Sequence, residues 1–189
     1  NGFPANWLNV DADNDGFTWQ ITSRTRDSIS AHTGDKAVAS YSYDNNTYSA
    51  LNPNNYLITS RLTVPSNGAT LTFWRRALDY RYPREHYEVK ISTTGTAVSN
   101  FTNTVYQETI SSDAWIQRTV SLSAFAGQSI YIAFVHNNSY DQFSLQFDNI
   151  KVEATPVTLP DPQNYATIIL ECYDVWRDGT GYQILLDAD

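Results

Sequence analysis

The sequence predicts an all-β protein, two antiparallel sheets packed as a sandwich or jelly roll, and three observations predict it. Apolar residues recur with period two: Ile130, Ile132 and Phe134 share one face of an extended chain. Apolar stretches with a helical period over ten or more residues are missing, and the runs are short and bounded by Gly, Pro, Asn and Asp. Aromatics at 14% and hydrophobics at 41% supply a core, while charged residues are sparse at 17%. That texture fits Tyr- and Thr-rich strands with polar turns, and not a disordered chain, which would lack the aromatics.

In chain order, strands are expected at 17–21, 37–43, 56–64, 70–78, 86–93, 115–122, 129–136 and 143–153. About eight such strands with long polar connections describe a sandwich or jelly roll. Trp7, Trp19, Trp74, Phe134 and Phe147 are expected in its core. The texture changes at 154–164, where Pro156, Pro160 and Pro162 make a stiff, extended linker. Beyond it, 166–176 and 181–187 read as strands joined by the turn Arg177-Asp178-Gly179-Thr180. Two strands bury no core alone. Residues 165–189 are therefore expected to be the truncated start of a second β module or a hairpin docked on the first domain, 1–153.

The formal charge of −8 argues against nucleic acid, because an acidic surface gains nothing from counterion release. Clustered carboxylates suit a hard cation instead. A single cysteine, Cys172, excludes an internal disulfide, and a secreted fold without disulfides can still be stapled by calcium. No apolar run approaches the ~20 residues a membrane helix needs, so no insertion into a membrane is expected. The chain opens Asn1-Gly2-Phe3-Pro4, without an initiator Met or a signal peptide, as a piece of a longer product would.

The most specific chemical signal is Asp11-Ala12-Asp13-Asn14-Asp15-Gly16. Alternate carboxylates place hard oxygens on one side of a tight loop, and the glycine permits the turn. It resembles the first half of an EF-hand loop, but the twelfth position is Thr22 where a bidentate Glu would stand, so further ligands come from elsewhere. Asp148, in Phe147-Asp148-Asn149-Ile150 on the last strand, is a candidate because first and last strands of jelly rolls are often neighbours. The metal reading assigns Asp11, Asp13, Asp15 and Asp148 to calcium; the alternative is three acids capping a solvated turn.

A second feature lies at 75–86, where four of the twelve basic residues fall within ten positions, interleaved with tyrosines. Tyr and Arg offer rigid, amphipathic contact area. Tyr80, Arg81, Tyr82 and Arg84 are the candidate partner-binding residues; the alternative is a solvated loop with local ion pairs. Catalytic residues are not assigned. Cys172 shares a strand face with Ile168 and Leu170, His32, His86 and His136 lack metal-ligand spacing, and no phosphate loop or nucleophile elbow appears.

The order of these segments resembles the cleaved-adhesin (haemagglutinin) modules that follow the protease domain of gingipains. Their opening pattern is met by Gly2, Pro4, Trp7, residues 11–16 and Trp19, and "LNPNNYLITSRLTVP", "LTFWRRALDYRYPREHYEVKISTTGT", "NFTNTVYQET", "WIQRTVSL", "IYIAFVHNN" and "LQFDNIKV" follow in the same order. Asn14 stands where the family usually has Gly, and Asn54 where it usually has Asp. The tail "YDVWRDGTGYQILLDAD" resembles the start of the small module between adhesin modules of the same polyproteins, which favours truncation. The resemblance implies a jelly-roll sandwich with bound calcium, secreted to the bacterial surface at the outer membrane and processed from a larger precursor. It implies a non-catalytic adhesin for host extracellular or erythrocyte proteins, haemoglobin or glycans among them, beside other modules of the polyprotein. A carbohydrate-binding module appended to a secreted enzyme is the alternative, since jelly rolls and exposed aromatics serve both.

Overall fold

The computed structural model describes residues 2–23 and 31–156. The chain divides into two units between Pro156 and Val157, and the first carries all that follows. The expected hairpin at 166–187, most of the proline linker and Cys172 lie outside the described residues.

In chain order the strands are β1 (Leu8–Asp11), β2 (Gln20–Ser23), β3 (Lys36–Tyr41), β4 (Tyr43–Asp44), β5 (Ser49–Ala50), β6 (Asn55–Ile58) and β7 (Leu62–Thr63). They continue as β8 (Ala69–Ala77), β9 (His86–Ser92), β10 (Asn103–Thr109), β11 (Ile116–Ser121), β12 (Ser129–His136) and β13 (Ser144–Ala154). The first sheet runs β1-β6-β12-β9-β10, with β7 paired to the start of β12; the second runs β11-β8-β13-β3-β2. Strands β4 and β5 form a separate hairpin, and every pairing is antiparallel. The fold is an all-β sandwich of two antiparallel sheets, as the sequence predicts.

Alternation along β8 sends Leu71, Phe73 and Ala77 into the core and Thr72, Trp74 and Arg76 outward. Phe73 is the hub: it meets Phe134 edge-on at 5.2 Å, Phe147 at 5.5 Å and Tyr87 at 6.0 Å. Those T-shaped contacts place positive ring edges against negative faces. Trp19 stacks on Phe147 at 5.3 Å and donates its indole N–H to the Asn55 carbonyl at 3.0 Å. Strands β6 and β12 of the first sheet are packed on both faces, because Tyr56, Ile58, Ala133 and Val135 pack outward against Phe101 and Val98. Every residue of β6 is therefore buried.

Several expectations need correction. Trp74 is not a core residue: it stands on the outer face of β8, its ring stacked on His32 at 3.6 Å. Trp7 only borders the core, whereas Trp19, Phe134 and Phe147 lie in it. Strand 56–64 is two strands, β6 and β7. β1 was hidden because it runs straight into the acidic motif. β10 was hidden by a bulge between Thr104 and Tyr106, which lets the neighbours Val105 and Tyr106 both pack on the core. A bulge puts consecutive side chains on one face and erases the period-two signal.

The margin where β10 and β11 face each other is closed by charge. Arg75, only 2% exposed, reaches from β8 to Glu108 on β10. Glu108 also accepts from Arg118 Nε at 2.9 Å and from Tyr87 Oη at 2.8 Å. Burial opposes its ionisation, but the hydrogen bonds from Arg118, Arg75 and Tyr87 hold the carboxyl down at about 2. Burial and the adjacent carboxylate push the Tyr87 hydroxyl well above its usual range.

Candidate functional site

Register fixes which loops share an end. Asp11 pairs with Asn55, Asn55 with His136 and His136 with Tyr87, so the first sheet's strands end together. In the second sheet Tyr41 pairs with Ser144, and Leu145 with Ala77. The connections at 12–19, 42–54, 78–85 and 137–143 therefore emerge at one end, and backbone bonds from Leu78 N to Ser144 O and from Ser42 N to Phe143 O tie them together.

The acidic loop leaves β1 there. Ala12 N donates to the Asn54 carbonyl at 3.1 Å, Gly16 N to Asp11 Oδ2 at 2.8 Å and Phe17 N to Asp15 Oδ1 at 2.8 Å. Asn14 and Gly16 take left-handed backbone, with φ of 58° and 87°, which Asn and Gly adopt at least cost. Carboxylate oxygens of Asp11, Asp13 and Asp15 thereby lie within 4.8 Å of one another. Burial and a hydrogen bond shared with Asp11 raise Asp13 above the ordinary carboxylate range. Burial works against Asp11 as well, yet the Gly16 N–H and Asp13 carry it below that range. The opposite shifts express crowding of carboxylates, a repulsion that a cation would relieve. Asp11 Oδ1 is buried without a hydrogen-bond partner, and a hard cation is one group that would satisfy such an oxygen.

Asp148 does not join this cluster. It lies on β13 in the second sheet, whereas β1 is an edge of the first. Its carboxylate accepts from Thr33 N at 3.1 Å and from Asn149 N at 2.6 Å. The expectation failed because first and last strands are not sheet neighbours in this topology.

Tyr80, Arg81, Tyr82 and Arg84 do come together on one loop. Tyr80 is 66% exposed and Tyr82 51%. Asp79 organises the turn, accepting from Arg81 N at 2.8 Å on its carboxylate and from Tyr82 N at 3.2 Å on its carbonyl. The Arg81 guanidinium lies 5.2 Å from the Tyr80 ring and donates to its hydroxyl at 2.8 Å. Arg84 N donates to Gln142 Oε1 at 3.0 Å. Arg75 and Arg76 belong to β8 instead; Arg76 donates to Gln146 Oε1 at 2.8 Å and covers Trp115 at 4.8 Å.

Sequence reasoning missed Glu85, which sits fully buried beneath these loops. It accepts from Ser42 Oγ at 2.8 Å, Phe143 N at 2.9 Å and His136 Nε2 at 2.9 Å. His136 Nδ1 lies 2.8 Å from Ser40 Oγ. Serine, histidine and acid are thus aligned, but none of the three meets solvent. A nucleophile without access to substrate is a structural pin. Its place between Arg84 and His86 made Glu85 look like part of a solvated charge run.

Comparison with known proteins agrees with this architecture. The family model described as the Cleaved Adhesin Domain matches residues 1–152, and one described as a domain of unknown function (DUF2436) matches 148–189. Gingipain R1 of Porphyromonas gingivalis is 38% identical over 168 residues, covering 82% of this chain and 10% of its own length. Hemagglutinin A of the same species is 37% identical over 171 residues, covering 82% of the chain and 8% of its length. The chain thus spans about a tenth of these relatives. The K1 cleaved-adhesin domain of Lys-gingipain from P. gingivalis superposes with a TM-score of 0.74 at 38% identity, covering 82% of this chain and 95% of that domain.

Proposed function

Residues 1–152 belong to the cleaved-adhesin family, a non-catalytic module of gingipain and haemagglutinin precursors, and from that premise we propose that this chain is a calcium-carrying adhesin of a secreted or surface-displayed bacterial protein. Its partners are host extracellular or erythrocyte proteins. The observation that carries the reading is the loop at 79–84, where two half-bare tyrosines and two arginines stand on a hydrogen-bonded turn. Binding residues collect on loops held by a rigid scaffold.

The test is binding of the full chain to erythrocytes. Tyr80→Ala and Tyr82→Ala are each expected to weaken it by about 1–2 kcal/mol, the range of moderate hot spots, with the melting temperature unchanged. Arg81→Ala and Arg84→Ala should chiefly slow association and flatten its salt dependence, as rim charges do. Parental affinity in all four variants sinks the assignment.

Asp11, Asp13 and Asp15 would hold calcium, supplying hard oxygens from one loop. The ion would neutralise the crowded carboxylates and so fix the loop against Asn54. Chelation is expected to lower the melting temperature, because a ligand held only by the folded state stabilises it by mass action. Asp13→Ala should remove that dependence. Superimposable melts with and without chelator would leave a capped turn.

A further inference from the structure

Among the described residues six large apolar side chains are substantially exposed, and four of them are tyrosines: Tyr48, Tyr80, Tyr82 and Tyr140. They stand on three loops of the same end, the β4–β5 turn, 79–84 and 137–142. Apart from Pro83, the residues between them are Asn, Asp, Thr, Ser, Gln and Arg. Scattered apolar exposure would spread over the surface.

The loops at 79–84 and 137–142 are fastened to each other by Arg84 N on Gln142 Oε1 at 3.0 Å, and the base of the β4–β5 hairpin is tied in at Ser42, whose N donates to the Phe143 carbonyl at 3.1 Å. Asp44 closes the β4–β5 turn, accepting from Asn46 N at 2.9 Å and Thr47 Oγ1 at 2.6 Å. Ser139 Oγ accepts from His86 N at 2.7 Å, and Glu85 takes the Phe143 amide from beneath. Tyr48 itself has left-handed backbone, φ 55°, with its side chain 81% exposed. A bulky aromatic is a poor choice for that conformation, which Asn or Gly adopts at lower cost. So exposed a ring adds little to packing, so the strain points to work outside the fold.

We propose that Tyr48, Tyr80, Tyr82 and Tyr140 form one contact surface across the three loops, and that its partner is the folded surface of an erythrocyte protein. The proposal rests on the adhesin reading above. Tyrosines set among amide and hydroxyl side chains, on loops at one end of a β-sandwich, have the composition of an antibody combining site, which meets folded polar surfaces. A saccharide bound as a small ligand would instead be enclosed by a cleft. Rings 51–81% exposed project outward and do not line one.

Labelled full-length chain is titrated onto erythrocytes left untreated, digested with pronase, or oxidised with periodate. Tyr48→Ala and Tyr140→Ala are each expected to weaken binding about tenfold at an unchanged melting temperature. Tyr48→Asn should lose the same affinity while melting no lower than the parent. Pronase should remove the binding and periodate leave it. Parental affinity in the Tyr48 and Tyr140 variants, with loss in the Tyr80 and Tyr82 variants, overturns the three-loop surface and leaves the single contact loop. Loss on periodate with survival of pronase makes the partner a glycan and overturns the protein assignment. No binding of the parent to untreated cells, or parental affinity in all four alanine variants, overturns both.

Discussion

Glu108→Ala is expected to destabilise the module by about 3–5 kcal/mol, the cost of breaking a buried ion pair from one side. The loss is large because Arg75 stays behind, 2% exposed, with no other acid paired to it among the described residues. Tyr87 Oη loses its acceptor as well. Arg118, nearer the surface, can turn to water. Replacing Arg75 and Glu108 together by Met and Leu should recover most of the stability, since an apolar pair of similar volume avoids the orphaned charge. Urea unfolding at neutral pH measures both. The same carboxylate sets an acid limit. Its folded value of about 2 lies below the ordinary 4.5, so its contribution is complete above about 4.5 and disappears as pH falls through about 2. Solvent at the margin screens part of it, leaving on the order of 2 kcal/mol. Coincident unfolding curves for parent and Glu108→Ala would remove the ion cluster from the list of forces joining the sheets.

Glu85→Ala comes next, with an expected loss of about 3–4 kcal/mol. Two buried donors, Ser42 Oγ and His136 Nε2, and the part-buried Phe143 N would lose their acceptor at once. Each stranded donor costs about 1–3 kcal/mol, and the three are not additive because they share one cavity. The effect should be local before it is global: the Phe143 amide should lose protection from hydrogen exchange, because it donates to Glu85 Oε1. Since Glu85 fixes the connection at 137–143, erythrocyte binding should weaken together with stability. That coupling separates it from Tyr48→Ala and Tyr140→Ala, which are expected to lose affinity alone. A Phe143 amide that stays protected in Glu85→Ala would show that the loop is held by other contacts.

The sequence by itself determined the fold class, because burial of one strand face is written as period two and survives without knowledge of neighbours. It also determined the acidic loop, since Asp11 to Gly16 is a local pattern whose geometry depends on its own backbone. The exposed Tyr80–Arg84 loop was legible for the same reason. What lay beyond it were the features made by residues far apart in the chain. Trp74 and Phe73 are both aromatic and adjacent, and only the sheet's orientation decides that Phe73 enters the core while Trp74 meets His32 outside. Arg75 and Glu85 sit in one charged run with Arg81 and Arg84, yet two are buried and two exposed. Asp148 looked like a ligand until the strand order placed it in the opposite sheet from Asp11. A charged side chain carries no mark of burial in its sequence; its fate depends on whether the fold brings it a partner, and Glu108 lies 33 residues from Arg75 and 10 from Arg118.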